Sequence, residues 1–418
     1  MRCFTQPTGL FTQILCKLGR MAKGGDRGRR PSGELFPTDS PLPAGRLIGR
    51  RDDVSEVAAR LEAGTHLVVA GPRRTGKTSV CEAALARLAR RGAYTAKVDL
   101  FRASDAAELA EALAAAVISN RSAAHRALRR ARSAGRAALS VAQAQAVLKL
   151  VGELGEGVEL ALTPGLAASD PERALDLALE LPERVAQADG KRLVLFFDEF
   201  QELASARRPY GDPDAVTNRM RAIFQRSSSV SYLFAGSIEH VMRDLFAPSR
   251  RAFSGFGSFY SLRPIEPHEW RAGLADRFAA DDCAIGDPSL ARIIELGGGH
   301  PRATMRIAQQ AHLVSLELGT RTIGLDLVQL GFERALEGDR PTMEQVVERI
   351  RLLHKQGLLV ARTVAAGDPL PRRIQPGARD RVLKLLRDAG ILEHEARGRW
   401  RVIDPLLRHY LASLDPLG

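Results

Sequence analysis

Apolar positions in the first 264 residues fall into short runs separated by longer amphipathic stretches, the pattern of strands alternating with helices. Asp52 to Leu61 repeats with a helical period, carries acids in its first turn where the helix dipole favours them, and stops at Gly64. His66 to Ala70 is a short apolar run followed by glycine, Thr78 to Arg91 is helical by its Ala, Leu and Arg content, and Tyr94 to Leu100 reads as a second buried strand. Strand, glycine loop, helix, strand is the unit that builds parallel sheets. Strand signals return at Arg192 to Phe197, Ser231 to Ala235 and Ser258 to Leu262, which makes five. Between the second and third, Ser104 to Gln187 reads almost wholly helical, with blocks at Ala106 to Ser119 and Pro171 to Ala186.

Beyond Pro264 the period is helical, at Pro267 to Ala279, Pro288 to Leu296 and Pro301 to Leu318. Helices around Met343 to Leu353 and Gly377 to Ala389 then precede a hairpin at Ile391 to Ile403 that turns at Arg397-Gly398-Arg399. That is the local order of a winged helix-turn-helix. The expected division is a disordered basic segment at 1–45, an α/β core at 46–264 with a helical insertion at about 101–190, a helical lid at 265–340, and a winged helix at 341–418.

Composition narrows the class. A chain of 418 residues with 45% hydrophobic and 26% charged residues is globular and multi-domain. No run approaches a membrane span. Cys3, Cys16, Cys81 and Cys283 are scattered without a paired spacing, which suggests neither a zinc site nor a disulfide framework and fits the reducing cytoplasm. The net charge of +12 raises the question of an anionic partner, but residues 1–46 hold eight basic and three acidic residues, and so +5 of that excess. Only eight of the 61 basic residues are lysine. Residues 1–20 lack the apolar core of a signal peptide, and translation from Met21 is the expectation.

The chemistry concentrates in the loop after the first strand. Gly71, Pro72, Arg73, Arg74, Thr75, Gly76, Lys77, Thr78 and Ser79 carry the GxxxxGK[ST] pattern of the P-loop, placed between a strand and a helix as that motif requires. Its glycines let backbone N–H groups wrap phosphate, the helix N-terminus adds a positive dipole end, Lys77 neutralises β- and γ-phosphate oxygens, and the Thr78 hydroxyl ligates Mg²⁺. ATP and Mg²⁺ are the expected ligands. The third strand ends in Asp198 and Glu199. Asp198 is the expected second-sphere partner of Mg²⁺ and Glu199 the general base for the attacking water. The competing explanation for an Asp-Glu pair after a strand is a solvated turn.

Together, Ile48-Gly49-Arg50, the Gly71 to Ser79 loop, Phe197-Asp-Glu-Phe-Gln201, Phe234-Ala-Gly-Ser237, Gly298-Gly-His-Pro301 and Asp404 to Leu411 resemble the archaeal-type P-loop ATPase family, a relative of the AAA+ and STAND ATPases. The resemblance implies a sheet ordered 5-1-4-3-2, a helical lid and a C-terminal winged helix. It also implies an adenine pocket lined by Ile48, Gly49 and Pro301. Ser237 resembles the polar sensor of the γ-phosphate, with a turn residue as the alternative. Arg302 stands where lid arginines reach nucleotide, or caps its turn. Arg250 and Arg251 stand where an arginine finger for a neighbouring copy of the chain would lie, or form surface charge pairs.

Two basic faces leave DNA open as a partner. Arg126, Arg129, Arg130 and Arg136 can share one helical face in the insertion, and Arg379, Arg381, Lys384 and Arg387 lie on the expected recognition helix. Val382, Leu385, Leu386 and Ala389 form the expected buried stripe of that helix. The alternative is a solvated face for the first and a protein-binding winged helix for the second. An ATP-driven switch with an unidentified protein partner leads, and an ATP-regulated DNA-binding protein is its rival.

Overall fold

The structure is a computed structural model that describes residues 30–38, 40–121, 152, 166–204, 213–237, 239–246, 253–370, 374–396 and 398–414. The chain divides into two compact units, residues 41–263 and a second unit that joins the described part of 1–40 to the chain from 264 onward.

The first unit opens with helix α1 (Arg51–Glu62), which leads into β1 (Leu67–Ala70), helix α2 (Lys77–Arg90) and β2 (Tyr94–Asp99). Helices α3 (Ala106–Ile118) and α4 (Pro171–Ala188) pack on each other before β3 (Leu193–Asp198). Helix α5 (Pro213–Phe224), β4 (Val230–Gly236), helix α6 (Glu239–Phe246) and β5 (Ser258–Tyr260) complete it. All pairings are parallel and the order is β2-β3-β4-β1-β5, the expected arrangement read from the other edge. β3 and β4 are buried along their whole length, as strands covered by helices on both faces must be. One face carries an aromatic cluster in which Phe197 stacks on Phe234 at 5.8 Å and Phe200 meets Phe234 edge-on at 4.6 Å. The other face packs α1 and α2 on β1, β3 and β4 through Val57, Leu61, Val80, Leu88, Phe196 and Leu233. Of the helical insertion, residues 122–151 and 153–165, with Arg126, Arg129, Arg130 and Arg136, lie outside the described residues.

The second unit contains helix α7 (Pro267–Ala279), β6 (Ala284–Ile285), helices α8 (Asp287–Leu296) and α9 (Pro301–Glu317), and β7 (Thr322–Ile323), which pairs with β6. Helix α10 then runs unbroken from Leu325 to Leu353, 29 residues. The lid boundary expected at 340/341 therefore falls inside one helix. Pro341 sits within it without ending it. Helices α11 (Gly357–Ala366) and α12 (Pro376–Asp388) precede the antiparallel pair β8 (Leu392–Ala396) and β9 (Arg399–Val402), and helix α13 (Pro405–Ser413) follows. Asp404 caps α13 by accepting the Leu406 N–H at 2.9 Å. The Phe332 and His409 rings meet edge-on at 4.9 Å, so α13 packs back on α10.

Disorder over 1–45 does not hold for its last part. Ser32–Leu35 is a helical turn, and Phe36 is fully buried in the second unit, its ring 4.7 Å from that of Phe278. Gln309 donates to the Phe36 carbonyl at 3.0 Å, and Ser32 Oγ lies 2.7 Å from His312 Nδ1. Leu35 and Phe36 are the apolar residues that a polar, glycine-rich composition concealed. Residues 1–29, with Met21, lie outside the described residues.

Candidate functional site

The loop between β1 and α2 has its shape dictated by glycine. Gly76 adopts φ 90° immediately before α2, a left-handed conformation that a side chain resists. A Cβ added at Gly71 or Gly76 would meet nothing within 4 Å, so both glycines border open space. Lys77 is 7% exposed, and its Nζ donates to the Pro72 carbonyl at 2.6 Å, which holds the ammonium across the loop. Burial lowers the Lys77 ammonium to about 8, against the opposing pull of Glu199 and Asp198. Thr75 Oγ1 donates to the same Pro72 carbonyl at 3.0 Å, and Ser79 Oγ accepts the Leu42 N–H at 2.9 Å.

Parallel register brings the carboxylates to this loop. Thr78 Oγ1 donates to Asp198 Oδ1 at 3.2 Å across 120 residues of sequence. Burial pushes the Asp198 carboxyl above its ordinary range, and Lys97 acts against that rise. Lys97, on β2, places Nζ 3.0 Å from Asp198 Oδ2 and 2.6 Å from Glu82 Oε1. Burial pulls the Lys97 ammonium down, but the two carboxylates outweigh it and the net shift is upward.

Glu199 has φ 52°, which is uncommon for a residue with a side chain and turns the chain sharply at the end of β3. Its Oε2 accepts from Ser237 Oγ at 2.9 Å and from Gln201 Nε2 at 2.5 Å. Gln201 Oε1 in turn accepts the Ser237 N–H at 3.1 Å. Arg73 Nε reaches Ser237 Oγ at 3.3 Å. The candidate base, the candidate sensor and a loop arginine thus form one network between the ends of β3 and β4.

The residues present fit a nucleotide triphosphate with Mg²⁺. The loop offers backbone donors bordering open space and an inward ammonium, and Thr78 with Asp198 offers the hard oxygen donors that Mg²⁺ takes. Residues 46–235 match the family described as AAA ATPase domain. Over that stretch the chain is similar to an AAA ATPase domain. Its fold is similar over 90% of the chain to the Walker-type ATPase paby2304 of Pyrococcus abyssi, covering 99% of that protein at 15% identity with a TM-score of 0.65. It is similar also to the ORC2 protein of Aeropyrum pernix in its ADPNP-ADP complexes, with 90% of this chain and 95% of that one covered at 15% identity and a TM-score of 0.53. No curated protein matches the chain. No helix among the described residues is long and apolar enough to cross a membrane.

The structure places the other candidates as follows. Ile48 and Gly49 lead into α1, with Gly49 at φ 61°. Pro301 opens α9 in the second unit, behind Gly298 and Gly299 at φ 55° and 65°. Arg302 is committed to another partner, an ion pair with Asp339 on α10 at 2.6 Å with both side chains largely buried. Arg250 and Arg251 lie outside the described residues. On α12, Arg381, Lys384 and Arg387 are exposed as expected, while the buried stripe is Val382, Leu383 and Leu386 rather than one that includes Leu385 and Ala389, both half-buried. Sequence reasoning assigned no role to Gln201 or Lys97. Gln201 stood in the Asp-Glu-Phe-Gln string, and Lys97 had one faint signal, as one of only eight lysines among 61 basic residues.

Proposed function

We propose that the chain binds ATP with Mg²⁺ in the Gly71 to Ser79 loop, hydrolyses it, and uses the bound nucleotide as a switch. The observation that carries this reading is the Glu199–Gln201–Ser237 network beside the Thr78–Asp198 pair. Backbone N–H groups of the loop and Lys77 bind the phosphates. Thr78 and Asp198 would hold Mg²⁺, and the ion would supply charge neutralisation at the phosphates. Glu199 accepts a proton from the attacking water, and Gln201 and Ser237 fix the direction in which its carboxylate faces. Loss of the γ-phosphate removes a partner of Lys77, the difference in contacts that a two-state switch needs. Lys77→Ala is expected to abolish both ATP binding, by calorimetry, and phosphate release. Unchanged affinity and turnover in that variant would sink the proposal.

A second reading rests on α12. Its exposed Arg381, Lys384 and Arg387 suit a DNA backbone or groove, although Arg387 shares Asp388 at 2.9 Å. Reversal of Arg381 and Arg387 to glutamate is expected to remove salt-dependent duplex binding. Retained binding would leave α12 as a protein-contact surface for an unidentified partner or a second copy of the chain.

A further inference from the structure

Arg50 is 6% exposed and satisfies three acceptors at once. Its Nη1 donates to Asp53 Oδ2 at 2.9 Å and to the Arg263 carbonyl, and its Nη2 donates to the Thr75 carbonyl at 3.1 Å. Asp53 is buried as well and is held in turn by Tyr260, whose hydroxyl donates to Oδ1 at 2.8 Å. The charge on Arg50 is therefore balanced in place, and its two main-chain bonds are left to decide what it positions.

Those two carbonyls belong to functionally different segments. Thr75 lies inside the phosphate loop. Arg263 is the last residue of the first unit, immediately before Pro264 begins the second. In a trans peptide the C=O and the following N–H point in opposite directions. A Thr75 carbonyl fixed on Arg50 therefore directs the Gly76 N–H away from Arg50, and Gly76 borders the open space of the loop. An anion drawn to that N–H polarises the same peptide and strengthens its carbonyl as an acceptor, because linked hydrogen bonds reinforce one another. The guanidinium that feels this change also holds the Arg263 carbonyl. Its planar fork permits both bonds at once, which an ammonium on a flexible stem does not reproduce.

We infer that Arg50 is a positioning residue that presents the Gly76 amide to phosphate and passes the state of that peptide to Arg263, where the chain leaves the ATPase domain. The inference rests on the ATP reading above. It adds a physical link from nucleotide to domain exit.

The test compares the full-length chain with Arg50→Lys and Arg50→Gln, measuring ATP-analogue affinity, Tm, and hydrogen exchange across residues 261–266 with and without nucleotide. Tyr260→Phe serves as the structural control, since it loosens Asp53 without touching either carbonyl bond. Expected are a tenfold or greater loss of affinity in the Arg50 variants and loss of the nucleotide-dependent change in exchange. Tyr260→Phe should lower Tm yet keep that change. Wild-type affinity and a preserved response in Arg50→Lys overturn the inference, as does unfolding of both Arg50 variants, which marks Arg50 as a packing residue alone. A wild-type chain that binds ATP with no response at 261–266 overturns the link but leaves the ATP reading standing. Absence of ATP binding in the wild type overturns both.

Discussion

Lys97 Nζ lies 3.0 Å from Asp198 Oδ2, so the carboxylate that we propose for the metal is already shared with an ammonium on the neighbouring strand. The arrangement keeps a buried anion balanced, and it also sets a positive charge beside the position of a divalent cation.

Lys97→Met should therefore lower the Mg²⁺ concentration needed for half-maximal phosphate release severalfold, because Glu82 and Asp198 lose their competing cation. The same change leaves two carboxylates without their shared cation and is expected to cost about 1–3 kcal/mol of stability. A Mg²⁺ titration of steady-state turnover decides it, and an unchanged or raised requirement would contradict the assignment.

Glu199→Gln keeps the shape and the hydrogen bonds to Gln201 and Ser237 but cannot take a proton. ATP affinity is expected to stay within about threefold of wild type while turnover falls about 10²-fold or more, the usual worth of a positioned base. Single-turnover phosphate release separates the two. A variant with normal turnover would move the base elsewhere.

Gly236 precedes Ser237 where two side chains crowd the backbone. A Cβ there would fall 2.7 Å from Gln201 Oε1 and would also overlap the Met242 side chain. Gly236→Ala should lower stability by about 1–3 kcal/mol through overpacking. It should reduce kcat more than ATP affinity, because the displaced Gln201 orients Glu199. Equal losses in both would show that the network has no directing role.

His66 predicts an acid-labile window. Its Nδ1 accepts the Tyr232 N–H at 3.2 Å and its ring stacks on Phe256 at 4.4 Å. Burial, then Arg221 and Arg192, lower its pKa from 6.5 to about 4. Between those values the unfolded chain binds the proton and the folded chain does not, so this contribution to stability is present above pH 6.5 and is lost as pH falls through 4. Urea midpoints at pH 7, 5.5 and 4.5 should drop more steeply for wild type than for His66→Gln. Parallel curves would rule this residue out as the cause.

The phosphate loop and the Asp198-Glu199 pair were legible because each is a local string with its chemistry in adjacent residues. The five strands were legible because each is a short apolar run bounded by polar residues or glycine. Gln201 bonds to Ser237 across 36 residues, and Arg50 to the Arg263 carbonyl across 213. No local pattern announces a partner at that range. Helix α12 shows the smaller error, since Leu383 is buried and Leu385 only half-buried where periodicity alone assigned the reverse. Phe36 was hidden in the same way, by a polar segment whose anchors lie on distant helices.

Helix α10 turns two expected modules into one mechanical part. At a rise of about 1.5 Å per residue, its 29 residues form a rod of roughly 43 Å. The Arg302–Asp339 ion pair grips it near the middle, and α13 is packed on it at Phe332. The helix thereby ties α9, gripped at Arg302, to α13, packed at Phe332, in one continuous rod. The two modules expected on either side of residue 340 therefore share one backbone element, and a displacement of α10 at Asp339 is a displacement of the residues that carry Phe332 and α13.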